Sequence, residues 1–306
     1  MLLQPSAINI RPESRTVLIT GASTGIGQCC AITLAGQGFT VFAGVRNPED
    51  ADRLALFNPA ILPIRLDVTE PDSILEAQRQ IQAMLPEGKG LNGLVNNAGI
   101  AVCGPLECVP IEDLRKQLEV NVLGPVAVTQ AFLPLLRHER GRVVNMGSIA
   151  GLNALPFAGP YSASKFALES LTDALRVELQ PWGIEVAIIE PGTIATPIWE
   201  KSLKATTEMY AQPESGATSS SLALYEPALD MIRKAALRSA QRGIPPEHVA
   251  QAVLHALCAP KPKTRYLVGK DAQFRRILRW VPDRLKDALI TRKIGLPGKH
   301  SQSHST

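Results

Sequence analysis

Tyr161 and Lys165 stand four residues apart, so a helix would carry both on one face. A phenol alone ionises near pH ~10. An ammonium beside it stabilises the phenolate and draws that value down toward working pH. Tyr161 would then give a proton to a carbonyl oxygen or take one from an alcohol. Ser148 comes just after the apolar run Arg142 to Met146, and its hydroxyl would hold and polarise the same oxygen. Each of these is commonplace alone: a Tyr and a Lys share a helix face in many proteins, and a serine at a strand end is usually a cap. Their combination with a glycine-rich turn near the N-terminus gives them weight.

That turn is Thr20-Gly21-Ala22-Ser23-Thr24-Gly25-Ile26-Gly27. It comes after a β-branched run, Thr16 to Thr20, and opens a helical stretch from Ile26 to Gln37. Glycines there let the backbone approach a pyrophosphate, and the helix N-terminus supplies free N–H groups and the positive end of its dipole. The spacing is Gly-x3-Gly-x-Gly rather than the usual dinucleotide fingerprint. Strand before and helix after make it a nucleotide-binding turn.

These groups need a scaffold, and the chain's periodicity supplies one. Strands are expected at Phe39–Val45, Leu62–Leu66, Leu91–Val95, Arg142–Met146, Ile184–Ile189 and Tyr266–Val268. Helices are expected at Ser73–Leu85, Val120–Leu136, Tyr161–Leu179 and His248–Leu257. Alternating strands and helices imply an α/β fold: a doubly wound parallel sheet of Rossmann type with helices on both faces, its sites at the strand carboxyl ends. Residues 1–14 read as an N-terminal arm, 15–270 as one catalytic domain with a substrate loop at 193–243, and 271–306 as a basic amphipathic extension. The substrate loop and the C-terminal segment would form a helical lid over the substrate. Trp199, Met209, Tyr210, Leu224, Tyr225 and Met231 are its candidate lining residues.

With those motifs in place, the chain resembles the short-chain dehydrogenase/reductase family in its ordinary form. Besides the glycine turn, Asn96-Asn97-Ala98-Gly99 after the fourth strand is similar to that family's second motif. Asn121, Ser148, Tyr161 and Lys165 fall where its catalytic group falls, and Pro191-Gly192 comes after the sixth strand as it does there. The resemblance runs over residues 15–260 and leans toward the steroid and retinol dehydrogenase branch. It implies hydride transfer between a nicotinamide cofactor and a lipophilic secondary alcohol or ketone, a retinoid or steroid among them, in lipid metabolism. It implies that Lys165 holds the nicotinamide ribose and that the Asn121 backbone carbonyl seats a relay water. The Asp67 carboxylate, with Val68 beside it, would meet adenine, and Asn96 would pass on the adenosine side. Gly21, Ser23, Thr24, Gly25, Ile26 and Gly27, then Asn97, Ala98 and Gly99, and finally Pro191, Gly192, Thr193 and Thr196 would complete the cofactor site. In similar proteins the Val120–Leu136 and Tyr161–Leu179 helices pair across a two-fold axis, which implies a homodimer or homotetramer.

Cofactor choice rests on Arg46. A site selective for NAD wants a carboxylate after the second strand, and Gly44-Val45-Arg46-Asn47 has none. A guanidinium fork suits the 2′-phosphate of NADP. NADP is therefore expected, with NAD as the alternative, because Glu49 and Asp50 lie close.

Composition excludes other classes. The formal net charge of +4 is too small to argue for nucleic acid, and no His/Cys spacing suggests a metal. Five cysteines, two of them adjacent, do not make a disulfide framework, so a reducing cytoplasm is expected. No apolar run reads as a membrane span. Residues 261–300 hold 12 Lys/Arg against 3 Asp/Glu. Phe274 to Ile294 reads as one basic amphipathic helix, suited to a membrane surface, the pocket or a neighbouring subunit. The alternatives to an enzyme are a nucleotide-sensing regulator on the same fold and a peripheral membrane protein acting through residues 273–294.

Overall fold

The computed structural model describes residues 13–198, 200–202, 204, 224–278 and 280–294. Among them the sheet has seven parallel strands in the order β3-β2-β1-β4-β5-β6-β7. In chain order these are Arg15–Ile19, Phe39–Val45, Ile61–Arg65, Gly93–Asn96, Arg142–Met146, Glu185–Pro191 and Arg265–Val268, numbered β1 to β7. The strands are rich in Val, Ile and Leu because both faces of a parallel sheet are covered; every residue of β2 is buried.

The helices are α1 (Gly25–Gly36), α2 (Pro48–Ala55), α3 (Pro71–Met84), α4 (Ile111–Leu118), α5 (Gly124–Glu139), α6 (Gly159–Glu178), α7 (Glu226–Arg242), α8 (Glu247–Cys258), α9 (Lys270–Leu278) and α10 (Asp283–Ile294). Two apolar layers result. On one face Leu34, Leu54 and Val253 close over Val17, Val41 and Ile189. On the other, Ile81, Phe132 and Leu136 close over Leu18, Phe42 and Leu94.

The chain winds outward from β1 to β3, then crosses back to place β4 on the other side of β1. That reversal opens a crevice at the carboxyl ends of β1 and β4, the usual ligand position in such sheets.

The structure corrects several expectations. It adds the helices α2, α4 and α7. The first two have eight residues each, too short for a clear period. α7 fills 17 residues of what reads in the sequence as an irregular loop. The helix expected at Val120–Leu136 begins as a π-turn, Glu119–Leu123, and runs on to Glu139. The expected single helix over 274–294 is two, α9 and α10. Pro282 disfavours helical backbone in the residue before it, and α10 restarts at Asp283. By length and hydropathy alone, Ile111–Glu139 is long and apolar enough to cross a membrane, a test that the core helix of a soluble protein also passes. Its inner face instead packs Val128, Phe132 and Leu136 against the sheet. Trp199, Met209, Tyr210, most of the N-terminal arm and residues 295–306 lie outside the described residues.

Candidate active site

The glycine turn is shaped by close approach. Gly21 and Gly25 have φ of 63° and 61°, where a side chain is strained. A Cβ on Gly21 would sit 2.7 Å from Ala98 Cα, and one on Gly27 would sit 2.3 Å from the Gly21 carbonyl oxygen. The turn after β4 braces this geometry. Asn97 Nδ2 donates to the carbonyls of Thr20 and Gly21, both at 3.0 Å, and the amides of Asn97 and Ala98 both donate to Thr20 Oγ1. The α1 N-terminus has no side-chain cap at Thr24 and no acid in its first turn. Ser23, Thr24 and Gly25 thus present N–H donors and positive dipole to the crevice, with Ile26 partly buried behind them. This is a cradle that fits an anionic pyrophosphate.

Around the cradle, Thr196 lies 3.4 Å from the position of a Gly25 Cβ. Arg46 is exposed directly after β2. Asp67 Oδ1 accepts from the Thr69 amide and hydroxyl at 3.0 and 2.7 Å, while Val68 packs against Gly124. Pro191 ends β6. Gly192 and Thr193 are clamped by Asp271, whose Oδ2 accepts from the Thr193 amide at 2.7 Å; a Cβ on Gly192 would sit 2.1 Å from its Oδ1. The Asn96 side chain is engaged within the fold. It is buried, donating to Thr129 Oγ1 and Asn145 Oδ1 at 2.9 Å each. With Asn145 donating to Thr172, it stitches β4 and β5 to α5 and α6.

The second half of the crevice gathers Asn121, Ser148, Tyr161 and Lys165. Asn121, buried in the π-turn, accepts from the Ile100 amide at 2.9 Å and donates to Ser164 Oγ at 3.1 Å. Ser164 Oγ donates to the Tyr161 carbonyl at 2.7 Å. Gly99 faces the Asn121 amide. Ser148 is buried just past β5, its Oγ accepting from the Ala150 amide at 3.1 Å. The Ser148 hydroxyl acts on the Tyr161 phenol, favouring its ionised form. Lys165 is buried, and its Nζ donates to the Met146 carbonyl at 2.7 Å.

Electrostatics differ from the sequence expectation. Tyr161 is pushed above the ordinary phenol value by burial, with the Ser148 hydroxyl opposing the rise and Cys103 adding to it. Lys165 Nζ stands 5.7 Å from the ring centroid, and burial of the phenol outweighs its charge. Burial lowers Lys165 itself to about 8, against the Glu169 carboxylate, which holds it up.

Sequence reasoning misses three side chains here. Arg53 donates to the Ser23 carbonyl at 2.8 Å and to Asp50 at 2.7 Å. Lys201 Nζ donates to Thr24 Oγ1 at 3.2 Å. Asp271 clamps the loop after β6. An acid one turn before a base hints at the Arg53–Asp50 pair; nothing local points to the other two, which act from more than 70 residues away. On the substrate side, Tyr225 packs edge-on to Phe157, with ring centroids 6.1 Å apart. Met231 is half-buried on α7. Leu224 is 78% exposed rather than packed into a lining.

Comparison with known proteins agrees with this geometry. The chain is 38% identical over 283 residues to the NADPH-dependent 3-dehydrocapnine reductase of Ornithobacterium rhinotracheale, covering 90% of this chain and 96% of that one. It is 36% identical over 281 residues to retinol dehydrogenase 5 of Mus musculus, covering 90% and 87%. The crystal structure of a short chain dehydrogenase from Burkholderia cenocepacia J2315 in complex with NADP superposes with a TM-score of 0.69 at 25% identity, over 92% of this chain and 99% of that one. The short chain dehydrogenase profile matches residues 15–207, from β1 past the loop that Asp271 clamps. The chain therefore belongs to the short-chain dehydrogenase family of oxidoreductases.

Proposed function

We propose that this protein interconverts a lipophilic secondary alcohol or retinoid- or steroid-like alcohol with its carbonyl form, using NADP(H) in preference to NAD(H). The observation that carries this reading is the bond from Lys165 Nζ to the Met146 carbonyl at 2.7 Å, which sets the helix of Tyr161 and Lys165 against the strand end that leads to Ser148. The substrate class is supported by kinship to a retinol dehydrogenase. The cofactor is supported by kinship to an NADPH-dependent reductase and likeness to an NADP complex.

The bound nicotinamide would supply or accept the hydride. The chain's own residues manage the oxygen and its proton. In the reducing direction Ser148 Oγ holds the substrate carbonyl oxygen. Tyr161, a protonated phenol at neutral pH because burial raises it, donates its proton to that oxygen as charge develops there. Lys165 contributes a buried positive charge behind Tyr161 and a donor for ribose hydroxyls. The Asn121 backbone carbonyl, in a turn whose bonding departs from the α-helical pattern, seats the water that returns a proton. The oxidation runs these transfers backward.

The deciding experiment tracks NADPH and NADH absorbance while retinoids, steroids and aliphatic ketones are offered in turn. Turnover with NADPH supports the reading. Cofactor binding with no turnover across all three classes would favour a nucleotide-sensing protein.

A second reading has its own observation. Phe274, Ile277, Trp280, Leu285 and Leu289 are exposed on and between α9 and α10, Trp280 by 84%, beside the exposed Arg276, Arg284 and Arg292. Such a surface suits the headgroup layer of an anionic membrane. Co-sedimentation with phosphatidylserine vesicles but not with phosphatidylcholine vesicles would support it. The five free thiols fit a reducing, cytoplasmic setting for the rest of the chain.

A further inference from the structure

Beneath the candidate site lies a charged cluster that hydride transfer does not itself require. Tyr161, Lys165, Glu169 and Asp173 form a column at four-residue spacing along α6. Glu169 is buried, and so is Glu190 of β6, at 0% exposure. Arg265, on β7, reaches all three carboxylates: its Nε lies 3.2 Å from Glu169 Oε2 and 3.4 Å from Glu190 Oε1, and its Nη2 lies 2.7 Å from Asp173 Oδ2. The turn after Ser148 closes the other side, since a Cβ on Gly151 would sit 3.3 Å from Glu169 Cγ. Buried acids cost folding free energy unless they are paired. Three carboxylates around one guanidinium is therefore an arrangement that stability alone does not explain.

We propose that Glu169 is a positioning residue of this site: its carboxyl, fixed between the Arg265 guanidinium and the Glu190 carboxyl, supplies the negative charge that keeps the buried Lys165 an ammonium. This rests on the proposed function, in which Lys165 acts as a cation. Burial drives Lys165 toward its neutral form, and the opposing charge is Glu169, one helical turn away. Glu169 is in turn raised to about 7, by burial first and then by the like charge of Glu190, while Arg265 pulls it down. Both glutamates lie against the same Arg265 Nε, and their like charges resist double ionisation, so the pair titrates as a unit. Asp173 is shared between Arg265 and Arg176, so it contributes little net charge. The charged groups acting on the column are thus Glu190 from β6, Arg265 from β7, and the residues of α6 itself.

The test needs no substrate. The full-length protein is labelled with 13Cε-lysine and titrated by NMR, and the resonance missing from Lys165→Arg assigns Lys165. Its native midpoint is expected at about 8. Glu169→Gln removes the charge and keeps the shape, so the midpoint should fall by about one pH unit or more. Glu190→Gln leaves the charge on Glu169, so the midpoint should hold or rise. An unchanged midpoint in Glu169→Gln, or an equal fall in both variants, overturns the proposal. Where Glu169→Gln does not fold, Glu169→Asp decides: the retained charge should keep the midpoint within about half a unit of native, and a full-unit fall overturns it. Turnover does not enter these titrations. An active Tyr161→Phe variant would sink the catalytic reading and leave the midpoints untouched.

Discussion

Lys165 Nζ donates to the Met146 carbonyl at 2.7 Å, which ties α6 to the end of β5 two residues before Ser148. The bond seats α6 against that strand end, and the Ser148 hydroxyl acts on Tyr161, one turn earlier. The bond also holds a cation where water cannot solvate it, which is why burial brings Lys165 down to about 8. The reaction direction then sets a pH signature. The folded-state value lies below the ordinary one, so the ammonium persists below about pH 8 and is lost as pH rises through it. Tyr161 stays protonated well above that, because its own value is raised. Carbonyl reduction should therefore show a kcat/KM profile that is flat near neutrality and declines through about pH 8. A decline that begins only above pH ~10 would mean that the phenol, not the lysine, limits the reaction.

Tyr161→Phe tests the proton donor directly. The ring keeps its packing and loses only the hydroxyl, so fold and cofactor binding should persist. Turnover should fall ~10³-fold or more, within the range that general acid catalysis contributes. Ser148→Ala should cost ~10²-fold or more, by loss of one donor to the developing charge. Steady-state rates at saturating NADPH, alongside cofactor titration by fluorescence, check both. Near-native turnover in Tyr161→Phe would end the mechanism.

The strands and the glycine turn are legible in the sequence because their signals are local. A β-branched run ending in glycines, and a Tyr and Lys one turn apart, can each be read within a dozen residues. The expected β2 and β5 bounds coincide with those observed. What escapes is set by distant contacts. Asp271 is one acid in a basic tail until the fold brings it against Gly192 and Thr193. Asn96 and Asn97 read alike in the sequence, yet the fold parts them: Asn97, just past β4, braces the glycine turn while Asn96 turns into the polar ladder. The phenol's acidity escapes for a related reason. Spacing reveals that Lys165 lies near Tyr161, but not that burial outweighs its charge at the phenol.

Assembly should depend on the outer face of α6. Phe166, Leu171 and Val177 are exposed there, Val177 by 64%, with the small Ala163 and Ala174 between them. An apolar helix stripe with small residues lets a second helix approach closely, and burying it is favoured at roughly 25 cal/mol per Å². A homodimer or homotetramer is expected by sedimentation at micromolar concentration. Leu171→Glu should shift it toward monomer. A native protein that sediments as a monomer would contradict this.

Cofactor choice turns on the corner after β2. Arg46 is exposed at the strand end, beside the turn in which Ser23 and Thr24 offer hydroxyls. The acids that would argue for NAD stand in the first turn of α2. Asp50 is held by Arg53 at 2.7 Å, and Arg53 also binds the Ser23 carbonyl at 2.8 Å. Asp50 is therefore partly neutralised, and it is drawn toward α2 rather than toward a ribose 2′ position. A 2′-phosphate arriving there would meet two guanidinium groups. Hydrogen bonds to charged groups contribute roughly 1.5–3 kcal/mol each, and solvent screening at this exposed corner reduces that. A preference of about tenfold for NADPH over NADH survives such a discount. Arg46→Ala should raise the Michaelis constant for NADPH about tenfold and leave that for NADH nearly unchanged. Asp50→Asn should strengthen NADPH binding slightly, by removing the nearest negative charge. Kinetics with both cofactors on the three proteins check this. If Arg46→Ala weakens both cofactors alike, the guanidinium is holding the turn rather than reading the phosphate.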